Sequence, residues 1–284
     1  MLTFNHLLKE YKQKLRDSDI PMETCKLFLL ELCNERQYDL YLNIDKEVPQ
    51  EILDAFRKGI KRILNHEPMN YVLGYAWFYG YQFKVNRDVL IPRYETEELV
   101  ANILMTMDDM FKDYNEIVAC DIGCGSGAIA ISVAAEEPKV KMLASDISAE
   151  ALEVTKQNAT LNHVELKYYL GNMLDPLIEN GCKVDVLICN PPYIKQDEVL
   201  ETSVKEFEPH VALFGGSDGL KYYREVFEKA HLILKDKAFL AFEIGWDQKE
   251  ALSKLVEVTF PQSTFEVLKD INGKDRMLIV KLGG

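Results

Sequence analysis

A short polar corner follows an apolar run late in the chain, where VLIC is succeeded by Asn190, Pro191, Pro192 and Tyr193. The Asn190 side chain offers a carbonyl oxygen that can accept a hydrogen bond. The two prolines fix their own φ angles, so a backbone carbonyl in this unit can be held as a second acceptor. Tyr193 adds a flat face on which a planar group can stack. These residue types suit a site that grips a planar NH2 group by both hydrogens.

A second motif, CDIGCGSGAIA, places glycines at positions 123, 125 and 127 between a predicted strand and a predicted helix. Backbone without side chains leaves room for a ligand to lie against N–H groups at the helix N-terminus. Asp146 ends the next predicted strand and could accept hydrogen bonds from both hydroxyls of a ribose. The same spacing also fits a dinucleotide-binding loop, so the glycines alone do not choose between cofactors.

Asp121, just before the glycine loop, favours one of those cofactors. A carboxylate at this position would repel a pyrophosphate but attract a cation. S-adenosylmethionine carries a sulfonium, an ammonium group and a ribose, which match Asp121, the loop of 123–127 and Asp146 better than NAD does. We therefore predict S-adenosylmethionine as the cofactor and S-adenosylhomocysteine as its product.

The polar corner and the predicted cofactor together imply one kind of reaction. A planar NH2 group is a weak nucleophile because its lone pair is delocalised, so it must be aligned behind the methyl carbon that it attacks. Acceptors such as the Asn190 side chain would also stabilise the positive charge that grows on the nitrogen. No histidine-type base is required. We predict methyl transfer, with Asn190, Pro191, Pro192 and Tyr193 as the catalytic residues.

Composition limits the class of protein and of partner. The 284 residues are 48% hydrophobic and carry a net charge of −13, and no apolar run is long enough to span a membrane. Residues 1–80 carry 11 basic and 12 acidic side chains, whereas the remainder carries 22 and 34, a net charge of −12. Such an acidic body disfavours direct nucleic-acid binding and suits a basic protein partner, although acidity can also serve solubility alone.

The cysteines and histidines do not form a recognisable framework. No two of the six cysteines form a C-x-x-C pair, and several lie in apolar stretches, which predicts reduced thiols in the cytoplasm. The five histidines are scattered, so no metal site is predicted. The first twenty residues mix charges into helical apolar spacing and do not have the pattern of a signal peptide.

The elements that must position these motifs change character along the chain. Residues 1–70 show helical apolar spacing and predict a small helical-bundle domain. Aromatic and β-branched residues around Gly74 and Gly80 predict a linking β-hairpin within residues 71–90. A helix is predicted to begin after Pro92.

From residue 116 onward, strand-like and helix-like segments alternate to the end of the chain. This pattern predicts an α/β domain of residues 71–284, with a doubly wound, mainly parallel seven-stranded sheet that ends in an antiparallel pair. In such sheets, ligands bind outside the carboxyl ends of the strands. The glycine loop and Asn190 both follow predicted strands, so we expect them to face the same crevice.

Longer stretches resemble one enzyme family. EPMNYVLGYAWFYGYQFKVNRDVLIPRYETEELV, NPPYI, EFEPHVALFGGSDGL and GKDRM, together with the D-x-G-x-G-x-G loop, are similar to the release factor glutamine methyltransferases, the PrmC/HemK family. That family belongs to the class I S-adenosylmethionine-dependent methyltransferases. The similarity covers nearly the whole chain, including its helical N-terminal part. The combined pattern is much more specific than any single motif.

The resemblance implies a substrate and a set of binding residues. The substrate would be the glutamine of the Gly-Gly-Gln motif in class-one bacterial release factors, methylated on its side-chain amide nitrogen. Residues 1–70 would recognise this partner, and Asn190–Tyr193 would hold the amide. The implied cofactor-binding residues are Asp121, Gly123, Cys124, Gly125, Ser126, Gly127, Asp146, Asn172, Met173 and Asn190.

Two positions depart from the usual pattern of that family, and three features stay open. Tyr94 stands where proline is commoner, and Met173 stands where some relatives have an aromatic residue. Residues 206–216 could be a loop over the crevice or a mere connection. Arg93 and Glu97 could orient the NPPY corner or the cofactor, or could form only a surface ion pair.

Two other functions share some of these features. A nucleic-acid methyltransferase that acts on an exocyclic amine, as in N6-adenine methylation, needs the same NPPY chemistry. The acidic body and the missing basic target-recognition domain disfavour it. A nicotinamide-binding oxidoreductase or a non-catalytic binder would be stabilised by a different ligand, so thermal shifts with NAD and with S-adenosylmethionine separate these alternatives.

Overall fold

The computed structural model describes residues 2–16 and 20–283. Residues 1 and 17–19, which belong to the first predicted helix, and residue 284 lie outside the described residues. In the described part of the chain, no helix is both long and apolar enough to cross a membrane. All six cysteines carry free thiols, and five of them are buried, as the sequence predicts.

The N-terminal unit is the helical bundle that the sequence predicts. It extends to Gly74 and includes Glu201–Phe207 from later in the chain. Its core is made of buried apolar side chains, among them Phe28 and Phe56, whose ring centroids lie 5.7 Å apart. The helices before Gly74 are α1 (Phe4–Leu15), α2 (Thr24–Asn34), α3 (Gln50–Ile63) and α4 (Met69–Leu73).

The predicted hairpin is present but shorter than residues 71–90. It consists of two antiparallel strands, β1 (Tyr75–Phe78) and β2 (Tyr81–Lys84). Residues 71–73 belong instead to α4, which ends at Gly74 with a φ of 86°. A glycine in this left-handed conformation is a strong helix terminator, and it separates the aromatic-rich run into a helical turn and a strand.

The larger unit contains one seven-stranded sheet and confirms the predicted fold class. Its strands are β3 (Ile117–Ile122), β4 (Val140–Asp146), β5 (Leu166–Leu170), β6 (Val184–Cys189), β7 (Leu234–Glu243), β8 (Thr264–Lys269) and β9 (Asp275–Leu282). They lie in the order β5-β4-β3-β6-β7-β9-β8. Strands β3 to β7 run parallel, and β9 pairs antiparallel with both β7 and β8.

Helices cover both faces of the sheet. They are α5 (Tyr94–Phe111), α6 (Ala128–Glu136), α7 (Ala149–Leu161), α8 (Asp175–Glu179), α10 (Lys221–Ala230) and α11 (Lys249–Thr259), with a 3-10 turn at His210–Ala212. Helix α9 (Thr202–Phe207) belongs to the N-terminal unit. Residues of α5, α6 and α7 share one apolar cluster with Ala119 of β3, and those of α8, α10 and α11 share another with Cys120. Successive residues of a strand enter opposite layers, so the sheet is doubly wound.

The central strands bring the predicted motifs to one edge of the sheet. Strand β3 lies between β4 and β6. The glycine loop follows β3, Asp146 is the last residue of β4, and Asn190 follows β6. All six residues of β6 are buried, as expected for a strand covered on both faces. The sheet therefore places all three motifs at neighbouring carboxyl ends.

Candidate active site

A cleft lies where these carboxyl ends meet. It contains about 1090 Å³ of empty space, a figure that includes open solvent at its mouth. Gly127 and Tyr193 are not among its lining residues. The other residues predicted from the sequence all line it: Asp121, Gly123, Cys124, Gly125, Ser126, Asp146, Asn172, Met173, Asn190, Pro191 and Pro192.

The glycine loop is fastened to the helix behind it. Thr155 of α7 donates its hydroxyl to the Gly125 carbonyl oxygen at 2.8 Å. A Cβ atom at Gly127 would lie only 2.6 Å from Thr155 Cγ2, so the absence of a side chain lets the loop pack on α7. Gly127 also has a φ of 79° at the start of α6. It therefore shapes the loop from behind, while Gly123 and Gly125 face the cleft.

Asp146 links the end of β4 to the glycine loop. One carboxylate oxygen accepts the Gly125 N–H at 2.9 Å, and the other accepts the Ser148 N–H at 2.9 Å. A carboxylate has about four lone-pair positions, so these two bonds leave acceptor capacity for a ligand. Burial raises the pKa of Asp146, and the two backbone donors act in the opposite direction.

Asp121 is a buried carboxylate at the base of the cleft, with 1% of its surface exposed. Its Oδ2 accepts the Ala130 N–H at 3.2 Å. Burial raises the pKa of Asp121 from its usual 3.8 to about 7, and the charge of Asp146 adds to this effect. A cation bound in the cleft would reverse the shift, so the site favours a positively charged ligand.

The segment after β5 supplies a third wall. Asn172 donates its side-chain amide to the Glu225 carboxylate on α10. Met173 has a φ of 43°, a left-handed conformation that is uncommon for a residue with a side chain. The turn is closed by the Asp175 N–H, which donates to the Asn172 carbonyl at 3.0 Å. Asn172 and Met173 are thus held at the cleft by α10 and by the start of α8.

The NPPY corner is supported by the glycine-rich stretch that follows the 3-10 turn. The Ile194 N–H donates to the Leu213 carbonyl at 3.0 Å, and the Gly215 N–H donates back to the Ile194 carbonyl at 2.8 Å. A Cβ atom at Gly215 would lie 2.4 Å from the Pro192 carbonyl oxygen and 2.8 Å from Tyr193 Cα. Only glycine permits this approach without moving one of the two segments.

Tyr193 is anchored below the cleft rather than in its wall. Its hydroxyl donates to Glu243 Oε1 at 3.2 Å, and Arg276 Nη1 lies 3.5 Å from the same hydroxyl. Thr96 donates to the other Glu243 oxygen at 2.5 Å. Glu243 is 3% exposed, and burial raises its pKa, while Thr96 and Arg276 oppose the rise. Burial also raises the pKa of Tyr193 well above its usual range, so the phenol keeps its proton as the donor.

Gln248 adds a second tie between the corner and its surroundings. Its Nε2 group donates to the Gly219 carbonyl at 3.1 Å and to the Tyr193 carbonyl at 3.4 Å. Its Oε1 accepts the Gly245 N–H at 2.8 Å. The side chain is buried, so it joins the chain after β7 to the backbone of the corner.

Arg93 and the loop of 206–216 contact each other. Arg93 Nη2 lies 2.6 Å from Glu208 Oε1; Glu208 is buried while Arg93 is partly exposed, so the pair is half-buried. Arg93 and three residues of the 206–216 loop line the cleft, so this loop forms part of the wall: Pro209, Val211 and Ala212. Glu97 does not contact the corner and instead accepts the Tyr79 N–H at 3.0 Å. Tyr94 is 77% exposed and lies outside the lining.

The sequence predicted most residues that line the cleft, but it did not predict the residues that hold the NPPY corner in place: Glu243, Arg276 and Gln248. Glu243 ends an apolar strand, as Asp121 nearly does, and an acid in such a position is a usable signal for a buried role. Arg276 lies in the GKDRM stretch, which resembles the family but did not predict any specific contact for this arginine. No local pattern marks Gln248. The hairpin and the segment after it also enter the wall through Phe78, Asp88, Val89 and Leu90.

Two family models match separate parts of the chain. Residues 6–74 match the model described as the PrmC N-terminal domain. Residues 101–211 match the model described as the methyltransferase small domain, and this range contains the glycine loop, Asp146 and the NPPY corner. A solved structure, the delta-N METTL16 MTase domain, is 17% identical with a TM-score of 0.53, over 72% of this chain and 90% of that chain. It shares the fold alone.

Curated relatives match over nearly their full length. The release factor glutamine methyltransferase of Bacillus subtilis (strain 168) is 38% identical over 280 residues, which is 98% of this chain and 97% of the relative. Its counterpart in Staphylococcus aureus (strain NCTC 8325 / PS 47) is 32% identical over 283 residues, 99% of this chain and 100% of the relative. On this identity and coverage, the chain belongs to the family of release factor glutamine methyltransferases.

Proposed function

We propose that this protein transfers a methyl group from S-adenosylmethionine to the side-chain amide nitrogen of the glutamine in the Gly-Gly-Gln motif of class-one release factors. The family supports this reaction, since the relatives are named release factor glutamine methyltransferases. One structural observation carries the proposal: Asn190 lines the same cleft as Asp121 and Asp146. An acceptor for an amide and two carboxylates suited to the cofactor thus share one space.

The cleft fits S-adenosylmethionine by charge and by hydrogen bonding. Asp121 is a buried carboxylate that a cationic group would stabilise. Asp146 retains lone pairs for ribose hydroxyls because each of its oxygens accepts one backbone N–H. Asn172 and Met173 line the cleft and would flank the adenine. When bound, the cofactor supplies a methyl group activated by a positively charged sulfur.

The NPPY corner acts on the substrate amide. Asn190 Oδ1 would accept one N–H of the glutamine NH2 group. The Pro192 carbonyl packs against Gly215, and the Tyr193 carbonyl accepts from Gln248, so the Pro191 carbonyl is the acceptor that we assign to the second N–H. Two fixed acceptors orient the nitrogen and favour the positive charge that develops on it. Their effect is therefore larger in the transition state than in the bound substrate.

The proton balance requires no imidazole base. As the nitrogen–carbon bond forms, the amide nitrogen acquires a positive charge, and one proton must then leave it. Among the described residues, no histidine lines the cleft. The product amide would release this proton to solvent water, because a positively charged amide nitrogen is strongly acidic. Asn190 and Pro191 thus hold the two hydrogens during the transfer without having to remove either one.

The release factor would be recognised outside the cleft by the helical N-terminal unit. A match to the PrmC N-terminal domain over residues 6–74 supports this assignment. The charge of −12 on the remainder of the chain suits a basic partner surface. Association with the release factor should therefore slow as salt concentration increases, because screening weakens long-range attraction.

Transfer of a labelled methyl group tests the proposal directly. The purified protein is incubated with labelled S-adenosylmethionine and a class-one release factor that carries either Gly-Gly-Gln or Gly-Gly-Glu. The Glu variant keeps the side-chain length but removes the NH2 group. We expect label in the first protein only. Equal labelling of both would reject the proposed acceptor.

The exocyclic-amine reaction is tested in the same assay. The NPPY corner suits an adenine amine as well as a glutamine amide, since both are planar NH2 groups. Labelled DNA or RNA with an unlabelled release factor would favour that alternative. We expect the opposite result because the body of the protein is acidic and nucleic-acid affinity depends on phosphate contacts with basic side chains.

A further inference from the structure

Asn158 is a side chain of α7 that touches both the glycine loop, which lines the cleft, and the end of β2. It is 0% exposed. Its Nδ2 group donates to the Ser126 carbonyl of the glycine loop at 2.8 Å and to the Lys84 carbonyl at the end of β2 at 3.0 Å. Its Oδ1 accepts the Lys84 N–H at 2.7 Å. Both amide donors and the amide acceptor are therefore engaged.

The contact with the glycine loop continues that of Thr155. Thr155 lies one helical turn before Asn158 and binds the Gly125 carbonyl, and Asn158 binds the next carbonyl, that of Ser126. Two consecutive peptide groups of the loop are thus oriented from behind by α7. Their orientation decides which backbone groups face the cleft, because each peptide unit is planar.

The contact with β2 fixes the hairpin, which is itself part of the cleft. Phe78 at the end of β1 lines the cleft, as do Asp88, Val89 and Leu90 beyond β2. Phe78 and Phe83 pack in the same apolar cluster as Ala128 and Ile129 at the start of α6. A displacement of the hairpin would therefore move one wall of the cleft.

We propose that Asn158 is a positioning residue that couples the hairpin to the cofactor loop. It holds the backbone of both segments with one planar amide, so a rotation of that amide as the hairpin opens would also break its bond to the Ser126 carbonyl. A ligand that binds only the ordered loop must then stabilise the hairpin, and an ordered hairpin must strengthen ligand binding by the same factor. This inference rests on the proposed cofactor binding but concerns a residue that does not line the cleft.

Asn162 provides a matched control on the same helix. It caps the C-terminus of α7, and its Nδ2 group donates to the Gln82 carbonyl of β2 at 3.0 Å. Its other hydrogen bond goes to the Asn158 carbonyl within the helix. Asn162 therefore anchors the hairpin in a comparable way but does not touch the glycine loop.

The test is amide hydrogen exchange in β2, measured with and without S-adenosylhomocysteine. The residues of β2 do not line the cleft, so the ligand does not protect them by direct contact. At a ligand concentration of 100 times Kd, complete coupling would slow exchange by about 100-fold. We expect a slowing of at least about tenfold in the wild-type protein and in Asn162→Ala, although the latter exchanges faster throughout. In Asn158→Ala, saturation with S-adenosylhomocysteine should slow exchange of β2 by less than about twofold, and Kd for this ligand should increase by roughly tenfold.

Two results would overturn the proposal. One is wild-type exchange in β2 that does not change on saturation with S-adenosylhomocysteine. The other is an equal loss of the ligand effect in both asparagine variants. Should Asn158→Ala not fold, Asn158→Asp keeps the acceptor for Lys84 N–H but loses the donor to Ser126, and it should lose the ligand effect too. Failure of the wild-type protein to bind the ligand would instead reject the proposed cofactor.

Discussion

Tyr193 donates its hydroxyl to Glu243 at 3.2 Å, and this bond joins the NPPY corner to the end of the neighbouring strand β7. Glu243 is shared with Thr96 at the start of α5, and Arg276 of β9 approaches the same phenol. The aromatic residue of the motif is thus fixed by the strands β7 and β9 and, through Glu243, by the helix α5. We infer that Tyr193 holds the corner in place, while Asn190 and Pro191 meet the substrate.

A double-mutant cycle on Tyr193 and Glu243 tests this anchoring. Tyr193→Phe leaves a buried carboxylate oxygen without its donor, so the free energy of unfolding should fall by about 1–3 kcal/mol. Combined with Glu243→Gln, the loss should be smaller than the sum of the two single losses by about 0.5–3 kcal/mol. Urea unfolding of the four proteins gives these values.

The control for this cycle is Tyr169→Phe. Tyr169 lies on β5 and its hydroxyl contacts only the Cys182 thiol among the described side chains. Its loss should change stability by no more than about 0.5 kcal/mol. Strictly additive effects of Tyr193→Phe and Glu243→Gln would show that the two residues are not coupled.

Gly215 is expected to control the geometry of the corner. In Gly215→Ala, the new methyl group must displace the Pro192 carbonyl, which lies 2.4 Å from the Cβ position. We expect kcat to fall by about 100-fold, since small misplacements of reacting groups are costly, while Kd for S-adenosylmethionine changes little. Steady-state kinetics and calorimetry measure the two quantities.

Gly181→Ala is the matched control, because Gly181 has a positive φ of 61° but no atom within 4 Å of its Cβ position. This variant strains the backbone before β6, at the opposite end of that strand from the corner, and should lower stability without lowering kcat. An equal loss of kcat in both glycine variants would show that the effect does not come from the contact with Pro192.

Cofactor affinity should depend on pH through Asp121. Its pKa of about 7 in the ligand-free protein means that the carboxyl is increasingly neutral as pH falls below 7. Binding of a cation favours the ionised form, so Kd for S-adenosylmethionine should increase by up to about tenfold for each unit of pH below that value. Asp121→Asn should bind weakly at every pH and remove the slope. A flat wild-type profile would contradict this role.

The same shift has a consequence for stability. Since the folded pKa of Asp121 lies above the unfolded one, the proton is bound more tightly in the folded protein. The favourable contribution is fully present below about pH 4, where the unfolded carboxyl is protonated too, and is lost as pH rises through about 7. Above about pH 7 the buried carboxylate is ionised, which costs stability. Asp121→Asn removes this cost. Without cofactor, the gain in Tm of this variant over the wild-type protein should therefore be larger at pH 8 than at pH 5.

Asp146→Ala should weaken cofactor binding by about 1.5–3 kcal/mol, the range for hydrogen bonds to a charged group. Part of the loss would come from the ribose, and part from the Gly125 N–H that Asp146 accepts. Glu150→Ala is the control, because Glu150 is an acid at the start of α7 that does not line the cleft. Calorimetric titration should show normal Kd for this control, and a normal Kd for Asp146→Ala would remove that residue from the site.

The lining of the site was accessible from sequence because of how parallel sheets are built. The glycine loop, Asp146 and Asn190 each follow an apolar run, and the carboxyl ends of parallel strands meet at one edge. Each of these residues was therefore marked locally, by an abrupt change from buried apolar to polar or glycine. The two layers of helices follow from the same alternation, whereas the order of the strands in the sheet does not.

The supports of the site could not be predicted because their partners are distant in sequence. Tyr193 and Glu243 are 50 residues apart, and only the pairing of β6 with β7 brings them together. Asn158 and Lys84 are separated by 74 residues, and both lie in ordinary helix and strand patterns. The length of the hairpin was overestimated for a local reason: the left-handed Gly74 ends a helix whose side chains also suit a strand.

The central claim is that Asn190 holds a glutamine amide for methylation, and one measurement addresses it most directly. Single-turnover reactions of the wild-type protein and Asn190→Ala are quenched, and tandem mass spectrometry locates methyl groups on the Gly-Gly-Gln peptide. Asn180→Ala, which removes an amide that caps α8, is the control. We expect one methyl group on the glutamine side chain, formed at the normal rate by the control and about 100-fold or more slower by Asn190→Ala, with unchanged cofactor Kd. A methyl group elsewhere, none at all, or an unaltered rate in Asn190→Ala would contradict the claim.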